Sequence, residues 1–282
     1  MVPQAEIKKK AEEWEVPATT VEKDHALGHF LAGFIGTFKN RVRFKGGTCL
    51  RKCYFPEYRF SEDLDFSSVS PEFILQAEEL AFVCETVEKH SGLIFLPEPV
   101  EPLLHKDKRK GDKVIIRFWG ANHSRHEAPP PYERWHSKIK VEISTDELLI
   151  LPTELKTTFH PYSDTLLDHE PISCYPIDEV ISEKLRSLVQ RSYSAPRDYY
   201  DLYNLTSSFT EQDWNRIKPI FIEKMTHKGI DYHGPQQLVS KSAIEKVHRA
   251  WHNSIAHQLN SDSTISAEQT IEEVRRRIMK YL

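Results

Sequence analysis

Apolar and polar positions recur along this chain with two different periods, and the changes between them mark the predicted elements. Residues 5 to 15 read as a charged helix. A second helix opens with a capping box, Thr19 to Glu22, and buries Val21, Leu27, Leu31, Phe34 and Ile35 at helical spacing, ending near Gly36. Arg41 to Phe44 alternates as a strand does, Gly46-Gly47 turns the chain, and a short helix starts near Thr48. Period two returns at Ser61 to Phe66. A helix is predicted from Ser70-Pro71 to Gly92, with strands at Leu93 to Leu96, Lys113 to Trp119 and Lys138 to Ser144. Lys106 to Lys113 and Ala128 to Pro131 read as loops, the first a candidate nucleic-acid contact and the second a stiff connector. Beyond Pro176 the pattern is helical, in segments at Pro176 to Arg191, from Pro196, at Thr210 to Lys228, Ser242 to Leu259 and Ser266 to Leu282. Ser242 to Glu245 and Ser266 to Gln269 read as capping boxes.

The chain has 282 residues, 39% hydrophobic and 11% aromatic, enough for one large domain or two moderate ones. No run of eighteen apolar residues occurs, and the first residues, MVPQAEIKKKAEEWEV, are too charged for a secretory signal, so a cytoplasmic protein without a membrane partner is expected. Cys49, Cys53, Cys84 and Cys174 do not form a disulfide framework and read as reduced and structural. Among the histidines, His248 and His252 sit beside Trp251 on a solvated helix face and are assigned no role. The net charge of -4 conceals local excess: seven Lys/Arg against one acid from Lys39 to Arg59, and ten against four from His105 to Lys140. Such stretches suit a polyanion, or are solvated basic loops.

Candidate chemistry lies between Phe44 and Phe66. A strand followed by two glycines and a helix start leaves backbone N–H groups for an anion, with no Cβ in the way. In Asp63-Leu64-Asp65-Phe66 a strand buries Leu64 and Phe66 and projects both aspartates from the other face. Two such carboxylates can hold Mg²⁺ at a nucleoside triphosphate, or be solvated aspartates on an edge strand. Further on, Ile177, Val180, Ile181, Leu185 and Leu188 make an apolar stripe that contains Lys184, with Arg191 in nearly the same direction and Arg186 pointing to solvent. Asp198 aligns with Leu202 and Leu205. Two opposite charges therefore face inward, either as a buried ion pair joining two helices or around something polar.

KGGTCLRKCY followed by RFSEDLDF resembles the AbiEii/AbiGii type of nucleotidyltransferase toxin, MenT-like toxins among them, a branch of the polymerase-beta-like nucleotidyltransferase superfamily. Arg59-x-Ser61-x-Asp63-Leu64-Asp65 has the form of that branch. Two departures stand out: fifteen residues separate Gly47 from Asp63, more than is usual, and Thr48 replaces the usual serine. The resemblance implies Mg²⁺ (or Mn²⁺) on Asp63 and Asp65, and a third carboxylate on a later strand. Glu142 is the candidate, because Ile139, Val141 and Ile143 share one face of their strand and leave Glu142 on the other, with Lys138 and Lys140. It further implies nucleotide binding by Gly46, Gly47, Thr48, Arg59, Ser61, Lys184 and Arg191. Glu183 to Arg191 with Arg197-Asp198-x-x-Asp201 matches the family's second cassette, which implies that Lys184 and Asp198 act in catalysis and that Asp201 is their partner.

The expected protein is α/β (α+β), with a mixed-sheet nucleotidyltransferase core over residues 1–165 and a helical domain over 166–282 that closes the active-site cleft. The expected reaction moves a nucleotide from an NTP to RNA, tRNA above all, with release of pyrophosphate, as the toxin of a toxin–antitoxin pair. The alternatives are a protein hydroxyl as acceptor, or a nucleotide-binding module without turnover. Arg275 to Arg277 reads as an exposed helix face, with RNA contact as its alternative.

Overall fold

The computed structural model describes residues 1–123, 128–168, 170–190, 196–259 and 266–282. They form two compact units, Met1–Glu147 with Thr153–Tyr175, and Leu148–Pro152 with Pro176–Leu282.

The first unit opens with helices α1 (Gln4–Glu13) and α2 (Ala18–Phe38). Strand β1 (Val42–Lys45) runs into a short helix α3 (Gly46–Cys49), which widens into a π-turn over Leu50–Tyr54. Then come β2 (Asp63–Ser68), α4 (Ala77–Ser91), β3 (Ile94–Pro97), β4 (Glu101–His105), β5 (Lys108–Trp119), β6 (Lys138–Ser144), β7 (Glu154–Lys156) and β8 (Ile172–Cys174). They make one mixed sheet in the order β3-β5-β6-β2-β1-β8-β7, with β4 paired to β5. β2 runs parallel to β6 and β1 parallel to β8, and the other neighbours are antiparallel. The division between the units falls after Tyr175 because β8 completes this sheet beside β1.

Helix α2 carries the core. Almost every residue from Val21 to Ile35 is buried, so the helix is enclosed rather than laid on a surface. Phe34 stacks on Phe66 of β2 with ring centroids 4.8 Å apart, and Phe66 meets Phe44 of β1 at 5.1 Å. These contacts fix which face of β2 looks inward.

Several local expectations are corrected. Pro17, not Thr19, precedes the first turn of α2, without a side-chain cap. Glu22 is buried, accepting from the Asn122 amide at 3.0 Å and the Ser137 hydroxyl at 3.3 Å, so it cannot close a capping box. Helix α4 starts at Ala77 rather than at Ser70. The Ser70 hydroxyl accepts from the Glu72 amide and the Leu75 amide donates to Asp112 at 2.8 Å, which keeps the intervening chain out of helix. Lys106 to Lys113 is not a loop: Lys106 (φ 49°) and Asp107 (φ 62°) make a two-residue turn, and β5 begins at Lys108. The basic residues of the Lys39 to Arg59 stretch are not all solvated, since Arg51, Lys52 and Arg59 are buried.

The second unit is helical: α5 (Ile177–Gln190), α6 (Pro196–Leu205), α7 (Glu211–His227), α8 (Lys241–Ile255) and α9 (Ala267–Tyr281). Its core gathers Ile181, Leu185, Tyr199, Leu202, Trp214, Ile217, Phe221 and Ile278. Ser266 and Gln269 form the capping box expected for α9. For α8 the cap is Ser240, whose hydroxyl accepts from the Ala243 amide, rather than Ser242. Arg186 is buried, not solvated, and its guanidinium donates to Gln190 one turn on at 2.6 Å. Among the described residues no helix is long and apolar enough to cross a membrane.

Phe66 joins α2, β1 and β2, so Phe66→Ala should destabilise the first unit by about 3–5 kcal/mol, read as a lower urea midpoint at unchanged slope.

Candidate active site

β2 presents the acidic pair as the alternation requires. Leu64 and Phe66 are buried under α2, which turns Asp63 and Asp65 to the opposite face. β6 lies parallel beside it, in a register that sets Asp65 against Glu142 and Asp63 against Lys140. The candidate third carboxylate is thus the cross-strand neighbour of Asp65. On the other side β1 sets Lys45 against Asp65.

The charges of this face are unevenly matched. The Lys140 ammonium lies 3.4 Å from Asp63 and 3.2 Å from Glu142, so one cation serves two carboxylates. Burial, then repulsion from Asp63 and Glu142, raises Asp65 from the usual carboxylate value of 3.8 to about 6. Lys140 is raised as well: burial alone would lower it, but Asp63, Glu142 and Asp65 prevail. The oxygens of the three acids do not all lie within 4.8 Å of one another. The face is therefore an electron-rich strand pair short of positive charge. All-oxygen donors of this kind fit a hard divalent cation, which would relieve the repulsion that raises Asp65.

The glycine pair lies against these acids. Gly46 is at φ +78°, in the left-handed region, and a Cβ there would sit 2.4 Å from Asp65 Oδ2. Glycine is needed for both reasons. Contrary to the expected order of a turn and then a helix, α3 starts at Gly46 itself. A Cβ on Gly47 would meet the Ser61 hydroxyl at 2.9 Å and the Arg59 guanidinium at 3.0 Å, so Gly46, Gly47, Arg59 and Ser61 are brought together. Thr48 joins them by donating its hydroxyl to the Asp63 carbonyl at 2.5 Å, which pins α3 to β2. Just beyond, Asp24 of α2 accepts from Arg51 at 3.0 Å, Lys52 at 2.7 Å and Tyr162 at 2.9 Å. That buried network ties the π-turn to α2. Burial works against the Asp24 carboxylate, but Lys52 and Arg51 hold it well below its usual range.

In the second unit, Lys184 of α5 lies 3.1 Å from Asp198 and 2.5 Å from Asp201, both on α6, and all three are nearly or fully buried. The inward-facing charges read from the periodicity do meet, and Asp201 is as close a partner as Asp198. Arg191 lies outside the described residues.

Sequence reasoning missed two clusters. On α5, Glu179 pairs with Lys224 of α7 at 2.5 Å and accepts from the amides of Ile150 and Leu151, tying Leu148–Pro152 to the helices. In the first unit His25 and His29 of α2 turn Nε2 onto Asp164, as does His160. The signals were present: His-x₃-His within an apolar helix, and His-x₃-Asp downstream. Burial lowers His25, and lowers His29 to about 4. Asp164, which burial alone would raise, is held well below its usual range by the three imidazoles.

Two predictions follow from these charges. Because the folded state raises Asp65 from 3.8 to about 6, its ionisation opposes folding progressively between those values and fully at neutral pH. Asp65→Asn should then stabilise the metal-free protein by about 3 kcal/mol at neutral pH and by little near pH 4, as read by thermal unfolding at both. Lys184→Met takes from the buried Asp198 and Asp201 the cation they share and should cost about 3–5 kcal/mol in urea unfolding, more than Asp201→Ala, which leaves Lys184 with Asp198.

Comparison with known proteins gives the family and the fold. The family described as the nucleotidyl transferase AbiEii toxin of type IV toxin–antitoxin systems matches residues 29–276. No curated protein matches the sequence. Among solved structures, MenT4, a nucleotidyltransferase toxin of Mycobacterium tuberculosis H37Rv, superposes with a TM-score of 0.66 at 21% identity, over 100% of this chain and 91% of its own. A putative nucleotidyltransferase from H. pylori aligns at a TM-score of 0.48 and 18% identity, over 90% of this chain and 95% of its own. Glycine pair, strand acids and mixed sheet thus lie within the matched segment, and the chain belongs to the AbiEii family of nucleotidyltransferase toxins.

Proposed function

We propose that this nucleotidyltransferase moves a nucleotide from an NTP to a hydroxyl of tRNA, releasing pyrophosphate, and that Asp63, Asp65 and Glu142 are its metal ligands. The observation that carries this reading is the register of β2 and β6, which sets Asp65 beside Glu142 while Gly46 leaves the approach to Asp65 without a Cβ. A bound Mg²⁺ or Mn²⁺ would supply charge neutralisation at the triphosphate.

The chain's own residues account for the rest. Gly46 and Gly47 let phosphate oxygens approach the backbone, Thr48 holds that backbone on β2, and Arg59 and Ser61 border it. The acceptor oxygen forms its bond to the α-phosphorus as the bond to pyrophosphate breaks. The hydroxyl proton leaves to solvent water as that bond forms. Alignment and charge stabilisation supply most of the acceleration. The exposed tip of the β4–β5 hairpin, where Lys106 and Lys108 flank Asp107, supports a polyanionic acceptor. A tRNA acceptor places the reaction in the cytoplasm, and membership of a toxin family implies a cognate antitoxin.

Incubation with Mg²⁺, each labelled nucleotide in turn, total tRNA and a protein extract tests this reading. Label should pass to tRNA, and Asp63→Ala, Asp65→Ala and Gly46→Ala should each lower transfer by at least about 100-fold. Label passing to protein instead would make a protein hydroxyl the acceptor; no transfer by the wild type, or undiminished transfer by Asp65→Ala, would refute the assignment. In the same assay, a folded Lys184→Ala or Asp198→Ala protein that keeps full transfer would show the buried pair to be a fold element.

A further inference from the structure

The cluster on α2 has no part in the chemistry above, and its composition is unusual for a packing feature. His25 and His29 are one helical turn apart on the most enclosed helix of the first unit and are 0% and 1% exposed. His160 and Asp164 are again four residues apart, on the segment that packs against that helix. Three imidazoles from two stretches far apart in sequence converge on one carboxylate, which the Met1 ammonium also approaches at 3.4 Å. We propose that His25, His29, His160 and Asp164 form a tetrahedral site for a zinc-like divalent transition metal that ties α2 to the segment 157–168.

The donor atoms lie within reach of one ion, with His29 and His160 on different oxygens of Asp164. With bonds of about 2.0–2.1 Å, ligand atoms around tetrahedral zinc stand about 3.3 Å apart. Here His25 Nε2 is 3.2 Å from Asp164 Oδ1 and 3.0 Å from Oδ2, His29 Nε2 is 3.2 Å from Oδ2, and His160 Nε2 is 3.0 Å from Oδ1. One ligand atom from each of the four residues lies within 4.8 Å of the others. The rings pack edge to face, His25 on His29 at 4.7 Å and His29 on His160 at 5.1 Å between centroids, so each is held in orientation by its neighbours.

All three rings present the same nitrogen. Nδ1 of His25, His29 and His160 is buried without a hydrogen-bond partner, so the polar convergence of the cluster lies entirely on the Nε2 side. A hydrogen-bonded staple between a helix and a loop needs one imidazole; three, buried around a single carboxylate, is the donor set of a transition metal. Three nitrogens and one oxygen from the protein complete four-coordination and leave no open position, which marks a structural rather than a catalytic site. The role follows from the neighbours. Tyr162, inside the same segment, donates to Asp24, the residue that grips Arg51 and Lys52 behind the glycine pair. A metal here would hold that segment, and through it the backing of α3, in place.

The donor set separates this site from the strand acids, which offer oxygen alone and suit Mg²⁺. The test therefore reads independently of nucleotidyl transfer. The full chain, stripped with a chelator, is titrated with Co²⁺ and then Zn²⁺. One Co²⁺ per chain should bind with the intense visible absorption of a four-coordinate site, Zn²⁺ should displace it, and Zn²⁺ should raise the thermal midpoint until chelator is added. His29→Ala and His160→Ala should weaken Co²⁺ binding by at least about 100-fold. The shape-preserving His25→Gln and Asp164→Asn, with far-ultraviolet circular dichroism as a folding control, should do the same, while Asp63→Asn retains the band. No intense visible band in the wild type, a band that survives His25→Gln and Asp164→Asn, or a near-ultraviolet thiolate-to-cobalt band locating the metal at Cys49, Cys53 and Cys174 would each overturn the proposal.

Discussion

Like charges held close together on neighbouring strands are the constraint around which the first unit is arranged. Asp63 and Asp65 share one face of β2, the parallel register adds Glu142, and burial raises Asp65 to about 6. A fold tolerates such crowding only where the backbone under it is rigid, since any slack would let the carboxylates separate into water. Rigidity comes from below: Leu64 is buried, Phe66 is held between Phe34 of α2 and Phe44 of β1, and a slip of one residue in β2 would exchange the acids for leucine and phenylalanine. Lys140 supplies part of the missing positive charge, which is why its ammonium stands between Asp63 and Glu142.

The same logic orders the parts around the acids. Gly46 can press on Asp65 because it has no side chain and takes a left-handed φ, and Thr48 fastens the start of α3 to the strand carrying Asp63. Behind them Asp24 collects Arg51, Lys52 and Tyr162, so the charged residues of α3's continuation are neutralised in the interior. What looks in composition like a basic surface is in part a buried network. A second buried network, Lys184 with Asp198 and Asp201, performs a comparable joining of α5 to α6.

Much of the local structure was legible because it rests on short-range periodicity. The alternation in Asp63 to Phe66 announced both the strand and its faces, the stripe from Ile177 to Leu188 exposed Lys184 as misplaced, and Lys138 to Ser144 matched β6 residue for residue. The resemblance singled out Glu142, but only the register of β6 on β2, a long-range fact, made it the neighbour of Asp65. Capping boxes failed where a tertiary partner outbid the local one, as Glu22 shows by turning to Asn122 and Ser137. Arg186 was misjudged because helical angle alone says nothing of what packs above the helix. The histidine cluster stayed hidden for a related reason: His25 and His29 read as one helical spacing, and nothing local links them to residues more than a hundred positions away.

The account stands on the claim that Asp65 is crowded by its neighbours and is relieved by a divalent cation. Calorimetric titration of Mg²⁺ or Mn²⁺ into the full chain, in the presence of a non-hydrolysable NTP analogue and across the pH range from about 5 to about 8, tests it most directly. Affinity should fall as pH drops through about 6, where a proton competes for Asp65, and Asp65→Asn should remove most of the binding together with that pH dependence. Metal affinity that is flat across this range, or unchanged in Asp65→Asn, would contradict the account.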